Sequence, residues 1–350
     1  MGCYQRGNQL KEKTLIIIGS GPAGLRAALE AQNLGLDYLI LEKGEVAQAW
    51  QEIRPDMIML SPCHPQRDWT SISGAFPIWK LPVTRPFCTA QEFVHYLEEF
   101  STNFNLNVHT HVAVQKIQRR NDLFVVDTTQ GQYSAKTIFV ATGFLGNPFI
   151  PQIPGFLDNP IVLHSHHYKF PEAFRNKRVI IIGAGNSAAE IAIALAGYAQ
   201  VYLITRSELK FFSKTKDLCH IRGISESMLL ELIQMDLIRH IPGANIKKLV
   251  NNILHLQDRS IETQSIICAT GYRPVLNILR EFHIQTDQDT KFPLIEQWGE
   301  AKGIRNLFFG GPLAYTGLGS LFIHGFIKKV PEIIKGIRNR IETKKAIYVE

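Results

Sequence analysis

The chain has 350 residues, of which 45% are apolar and 20% charged, with 38 Lys and Arg against 31 Asp and Glu. That length exceeds the usual size of one core, so two domains are expected, and the composition excludes a disordered or low-complexity chain. A net charge of +7 suits nucleic acid or anionic lipid, but no nucleic-acid-binding signature accompanies it and no apolar run approaches the ~18–20 residues of a spanning helix.

The N-terminus, Met1-Gly2-Cys3-Tyr4-Gln5-Arg6, has no apolar core and reads as no signal peptide. Arg6 stands where a myristoylation motif needs Ser or Thr. A cytoplasmic protein is the expectation. Thr14–Ile18 is a short, wholly apolar run, the mark of a buried parallel strand. Gly19-Ser20-Gly21-Pro22-Ala23-Gly24 follows, then a helix from about Pro22 to Asn33 ended by Gly35, then a strand over Tyr38–Glu42. This is a βαβ unit.

Residues from Ala47 to Arg85, rich in Pro, Ser, Trp and Arg, read as a long functional loop. Ala90–Phe104 is an amphipathic helix with Thr89 as its N-cap. Val108–Val140 alternates apolar and polar residues, as a three-stranded antiparallel excursion would. Pro148, Pro151, Pro154 and Gly155 mark a domain crossing. A second βαβ unit runs from strand Val179–Ile182 through Gly183-Ala184-Gly185-Asn186-Ser187-Ala188, a helix to about Ala196, and strand Val201–Ile204. Ser265–Gly271 and Asn306–Gly311 are further strand-to-turn elements. A helix closes the chain and carries most of seven basic residues between Lys328 and Lys345, read as a solvated face.

The five cysteines, Cys3, Cys63, Cys88, Cys219 and Cys268, form no Cys-x-x-Cys pair. That argues against a disulfide framework, a zinc ribbon and a dithiol redox centre. His164, His166 and His167 crowd one loop without a partner cluster, so no metal is expected.

The glycine strings carry the chemistry. In the first, Gly19 allows the tight turn, Gly21 lets a pyrophosphate approach the backbone, and Gly24 lets helix and strand pack closely. The helix beginning at Pro22 and Ala23 offers unpaired N–H groups and a positive dipole end to phosphates. Glu42, with Lys43 beside it, ends the next strand, where an acid hydrogen-bonds ribose hydroxyls. This pattern points to a dinucleotide. The second string has Gly183, Gly185 and Ala188, with Asn186 and Ser187 at the helix start. Its following strand ends not in an acid but in Thr205-Arg206-Ser207. A guanidinium there pairs with a 2′-phosphate that a carboxylate would repel, which favours NADPH over NADH.

These residues, with Ala49-Trp50, Arg54, Ala141-Thr142-Gly143 and Ala269-Thr270-Gly271-Tyr272-Arg273-Pro274 in order, resemble the two-dinucleotide-binding-domain flavoproteins along nearly the whole chain. The flavin-containing monooxygenase group, particularly its short bacterial members, is most similar. The resemblance implies an α/β fold of two Rossmann-like domains. Residues 1–150 and 276–350 would form a split FAD domain, with an NADPH domain over 151–275 inserted into it. It implies that the two Ala-Thr-Gly turns join the domains, that Gly310-Gly311-Pro312 approaches the flavin, and that the loop after Arg54 lies near the isoalloxazine. Two departures stand out. Of the group's Phe-x-Gly-x-x-x-His-x-x-x-aromatic stretch, His164 and Tyr168 match, but Asp158 and Pro160 replace Phe and Gly. Pro312 stands where disulfide reductases carry an acid.

The activity implied is an FAD-dependent, NADPH-oxidising monooxygenation of a small nucleophilic substrate, with molecular oxygen added through a hydroperoxyflavin shielded from water. No catalytic side chain is identified; Ser61 and His64 are the candidates beside the flavin, and Trp50 would line its ring. One alternative is an NADPH-dependent reductase of a small disulfide or quinone without oxygen insertion. The related bacillithiol-disulfide-reductase-like proteins often carry Cys in the first glycine motif, where this chain has Ala23. Another is a non-catalytic NADPH-sensing flavoprotein. The substrate is not written in the sequence; nor is the oligomeric state, for which a homodimer is the common outcome.

Overall fold

A computed structural model describes residues 11–83 and 86–347. The N-terminal segment Met1–Arg6 with Cys3, and Arg85 at the end of the predicted loop, lie outside the described residues. The chain forms two compact units. The first holds residues 1–51, 56–147 and 273–350; the second holds 52–55 and 148–272.

The first unit opens with β1 (Lys11–Ile18), α1 (Pro22–Asn33) and β2 (Tyr38–Leu41). Short elements follow: α2 (Gln48–Gln51) and the hairpin β3 (Cys63–His64) and β4 (Arg67–Asp68). Then come α3 (Ala90–Asn103), β5 (Val108–His109), β6 (Val114–Arg120), β7 (Leu123–Thr128) and β8 (Gly131–Val140). Thr89 caps α3 through a reciprocal box: the Glu92 N–H donates to Thr89 Oγ1 (3.2 Å) and the Thr89 N–H to Glu92 Oε2 (2.7 Å). Such boxes satisfy two helix-end donors at once.

Pairing within the sheet corrects one expectation. β6, β7 and β8 are antiparallel to one another, but β8 is no excursion. It lies parallel against β1, with Ile18 opposite Val140. The sheet order is β5-β2-β1-β8-β7-β6. β8 is long enough to serve three neighbours along its length, and its second half is buried continuously (Thr137 to Val140) rather than alternately. A strand covered on both faces loses the alternation that marks a half-exposed one.

The second unit begins with β9 (Val162–His164), β10 (Arg178–Ile182), α4 (Asn186–Leu195) and β11 (Gln200–Ile204). It continues through α5 (Phe212–Thr215), α6 (Gly223–Gln234) and β12 (Ile238–Ile241). A separate antiparallel sheet, β13 (Ile246–Val250), β14 (Ile253–Leu256) and β15 (Ser260–Glu262), precedes β16 (Ser265–Cys268). The main sheet is wholly parallel, ordered β12-β11-β10-β16-β9. One face packs on α4 and α6 through Ile181, Leu203, Ile191 and Leu229; the other packs on the small sheet through Ile180, Ile266, Leu249 and Leu254.

The chain then returns to the first unit with β17 (Leu307–Phe309), parallel to β8, followed by α7 (Ile323–Phe326) and α8 (Lys329–Ile347). α1, α3 and α8 cover one face of that sheet around Leu25, Phe93 and Ile334. Ile138, Phe124, Leu279 and Leu307 fill the other. Among the described residues no helix is long and apolar enough to cross a membrane.

Candidate functional site

Each unit carries a glycine turn at the carboxyl end of its central strand, and the two are built alike. In the first, the Gly19 N–H donates to Leu41 O (2.9 Å) and the Ala141 N–H to Ile18 O (2.9 Å). Gly19 has φ +100°, and a Cβ there would lie 2.8 Å from Ala141 O. A Cβ on Gly24 would lie 1.9 Å from the carbonyl oxygen of Gly19, so α1 starts hard against the turn. Gly21 is its N-cap, with Pro22 at the first helical position and no side chain capping the first turn. A Cβ at Gly21 would meet nothing within 4 Å. The amides of the first turn and the positive end of the helix therefore face open space, the setting a pyrophosphate requires.

Glu42 follows β2 and is buried. Its Oε2 accepts from the Ser20 N–H (2.7 Å) and Ser20 Oγ (2.9 Å), and its Oε1 from the Gly44 N–H (3.2 Å). These bonds fix the carboxylate at the rim of the turn with lone pairs to spare for hydroxyl donors. Lys43 beside it is exposed. Gly310 donates its N–H to Val140 O (2.9 Å), and Gly311 reaches the first turn of α1, where its Cβ would lie 2.9 Å from that of Ala23.

The second turn repeats the device. The Gly183 N–H donates to Ile204 O (3.1 Å) and the Ala269 N–H to Ile182 O (2.8 Å). Gly183 has φ +146°, and a Cβ there would sit 2.3 Å from Ala269 O. Gly185 caps α4 without a side-chain hydrogen bond and faces open space. Ser187 is exposed, while Ala188 is buried. Asn186 is occupied otherwise: its Nδ2 donates to His220 O (3.1 Å) and its Oδ1 accepts from the Arg222 N–H (3.0 Å). It ties the 220–222 segment to the helix start and does not cap its own helix.

At the end of β11, Thr205 Oγ1 donates to Ser207 O (2.7 Å) and so accepts from His240 Nε2 (2.9 Å). Burial holds His240 below the usual imidazole range. Arg206 is exposed and makes no ion pair or hydrogen bond among the described residues. Nothing in the sequence spacing signals His240, which comes from the neighbouring strand.

The two Ala-Thr-Gly turns hold their own returning chain. Thr142 Oγ1 donates to Val275 O (3.1 Å) within the first unit. Thr270 Oγ1 donates to Phe149 O within the second, where the Phe149 N–H also bonds Gly271 O (3.0 Å). His164, fully buried, joins the same turn. Its Nε2–H donates to Gly271 O (2.9 Å) and its Nδ1 accepts from the His166 N–H (3.0 Å). Both ring nitrogens are used by the neutral tautomer, and burial pushes its pKa down to about 4. Among the described residues no group of three or more His, Cys, Asp or Glu could hold a metal.

Other predicted residues lie beyond the turns themselves; the Ala47 N–H, just ahead of α2, donates to both Ser20 O and Ser20 Oγ of the first turn at 3.3 Å. Arg54 belongs to the second unit, where its Nη2 pairs with Glu190 of α4 at 2.5 Å. Trp50 is half-buried and packs edge-on against Phe93 at 4.9 Å. Ser61 is buried, while His64 is exposed, its Nδ1 accepting from the Gln66 N–H (3.3 Å). No hydrogen bond joins them among the described residues, so they form no proton relay as they stand.

Comparison with known proteins fits this construction. The sequence profile of the pyridine nucleotide-disulphide oxidoreductases matches residues 16–311. An uncharacterized CzcO-like oxidoreductase of Geobacillus kaustophilus is 28% identical over 200 residues, covering 57% of this chain and 56% of that one. A probable indole-3-pyruvate monooxygenase, YUCCA4 of Arabidopsis thaliana, is 31% identical over 201 residues, covering 55% and 47%. The matched stretch thus spans about half the length of these curated relatives. Among solved structures, the bacillithiol disulfide reductase Bdr (YpdA) of Staphylococcus aureus superposes with a TM-score of 0.83 at 23% identity, covering 95% of this chain and 99% of that one. A flavin-containing monooxygenase from Stenotrophomonas maltophilia gives 0.81 at 24%, covering 95% and 100%. Their fold is that of two-domain flavoprotein oxidoreductases.

Proposed function

Because the chain belongs to the pyridine nucleotide-disulphide oxidoreductase family, we propose that it is an FAD-dependent, NADPH-oxidising enzyme that oxygenates a small nucleophilic substrate. The first unit would hold FAD and the second NADPH. The observation that carries the assignment is the contrast between the two strand ends: a fixed carboxylate, Glu42, beside one open glycine turn, and an unpaired guanidinium, Arg206, beside the other.

In this reading the first-turn amides of α1 receive the FAD pyrophosphate, and Glu42 accepts from ribose hydroxyls. The amides of α4 receive the second pyrophosphate, and Arg206 clamps the 2′-phosphate, with His240 beside it holding the strand end in place. Bound flavin supplies the hydride acceptor and the reaction with oxygen. The protein's part is to position both nucleotides and exclude water. Ala23 in place of Cys supports oxygenation over disulfide reduction, since a thiol at that position is absent.

Anaerobic reduction by NADPH, then rapid mixing with oxygen while recording flavin spectra, tests this. The expected result is a long-lived oxygen adduct of the flavin before reoxidation, and activity on amines or sulfides. Direct return to oxidised flavin would overturn the oxygenating role and leave a reductase of small disulfides or quinones, or an NADPH sensor. A preparation that takes up no FAD would overturn the whole assignment.

A further inference from the structure

Cys63 and Cys88 are far apart in sequence, yet their thiols share a hydrogen bond. Two antiparallel segments of the first unit bring them together. The Ala90 N–H donates to Met57 O (2.8 Å), the Met59 N–H to Cys88 O (2.8 Å) and the Cys63 N–H to Pro86 O (2.7 Å). Cys63 Sγ also lies 3.4 Å from Pro86 O. Both side chains are buried. Cys88 lies opposite Met59 and Cys63 beside Pro86, so the two cysteines sit diagonally across the paired segments with their thiols within hydrogen-bonding reach.

We propose that Cys63 and Cys88 are a dithiol oxidised by hydrogen peroxide to an intramolecular disulfide, a modification site distinct from both glycine turns. Cys63 attacks first. The hydrogen bond from Cys88 stabilises its thiolate and lowers its pKa, against burial and the Asp68 and Glu92 carboxylates. Cys88 is raised by the same partnership and by burial, and it acts as the resolving thiol.

The Cys63 sulfur takes one peroxide oxygen and becomes a sulfenic acid as one water leaves. The Cys88 sulfur then attacks the Cys63 sulfur, the S–S bond forms, and the sulfenic oxygen departs as a second water. Two thiols are thereby oxidised and one peroxide reduced. Burial excludes bulky thiols such as glutathione. The neighbouring thiol intercepts the sulfenic acid before it oxidises further. The cross-link would tie the β3–β4 hairpin to the residue just before the N-cap of α3.

The test uses the full-length protein as purified, with added hydrogen peroxide, so it does not depend on the proposed catalytic function. After treatment, remaining thiols are alkylated in denaturant and the protein is digested without reduction. The expected product is one cross-linked pair of peptides carrying Cys63 and Cys88, lighter than their sum by two hydrogens and released by dithiothreitol. Cys219, partly exposed but held up to about 11 by burial, should remain alkylatable at the same dose. The proposal is overturned if both thiols stay alkylatable, if each ends as a separate sulfinic or sulfonic acid, or if the link involves another cysteine. In Cys88→Ser, if folded, the hydroxyl still donates to Cys63 but cannot resolve it, so Cys63 should stop at a sulfenic acid trapped by dimedone; a Cys63 that stays reduced there would deny it the attacking role.

Discussion

The two glycine turns share one backbone device and differ in what surrounds it. In both, the first glycine has positive φ and lies against the carbonyl of an Ala-Thr-Gly turn, and in both the second glycine opens a helix with no side-chain cap. The third position separates them. Gly24 leaves no room for a Cβ, whereas Ala188 already carries one and is buried. The strand ends differ in sign and burial: Glu42 is buried and bonded to Ser20, Arg206 exposed and unpaired. In the proposed assignment, shared backbone geometry would provide for pyrophosphate, and the side chains around it would decide which nucleotide fits.

The largest expected effects fall on the second glycine of each turn. In Gly21→Val the new side chain points into open space, so the fold should survive with little change in thermal melting while FAD is lost and the protein is colourless. Gly185→Val should stay yellow but resist reduction by NADPH. A yellow Gly21→Val protein, or one that fails to fold, would break the assignment of that space to the pyrophosphate.

The third position should respond asymmetrically. Gly24→Ala forces a Cβ to within 1.9 Å of a carbonyl oxygen unless the helix shifts, and overpacking of this kind costs about 1–3 kcal/mol, occasionally more, with this severe contact at the upper end. The reverse change in the other unit, Ala188→Gly, should cost about 1 kcal/mol, the ordinary penalty of glycine in a helix. Urea unfolding that gave equal losses would show that the helices approach their turns alike.

Acid should act on the second unit through His164. Its folded pKa of about 4 lies below the usual ~6.5, so the unfolded chain binds the extra proton between those values. Its contribution to stability is complete above pH 6.5 and is lost as pH falls toward 4, up to ~3 kcal/mol in all. His166 and His240, also lowered by burial, act in the same direction. The urea midpoint of His164→Gln should fall less steeply over that range. An unchanged slope would mean that His164 is not the titrating group.

The smallest change sharpens the contrast between the strand ends. Arg206→Ala should raise the KM for NADPH about tenfold to a hundredfold, the ~1.5–3 kcal/mol of a charge-assisted bond, while NADH changes within about twofold. Equal effects on both would remove the phosphate clamp.

Much of this was legible in the chain. The runs Leu15–Ile18 and Val179–Ile182 are buried on both faces, and such strands need unbroken apolar residues. Helix starts were equally plain, since a glycine turn fixes where α1 and α4 begin. β8 departs from the expected excursion because half of it alternates and half does not. The sheet β13–β15 and the edge strand β9 went unpredicted, their short runs being too weak to declare a period.

Sequence by itself determined the two βαβ units, the two glycine turns and the opposite charges at their strand ends, because each follows from neighbours within about 25 residues whose spacing is set by strand and helix geometry. Only the tertiary structure decided that Arg54 pairs with Glu190, that Asn186 holds the 220–222 segment, that His240 braces Thr205, and that Cys63 meets Cys88. Those contacts join residues from separate segments. No local period records them, because they arise when packed elements bring buried polar groups within bonding reach and burial makes an unmet partner costly.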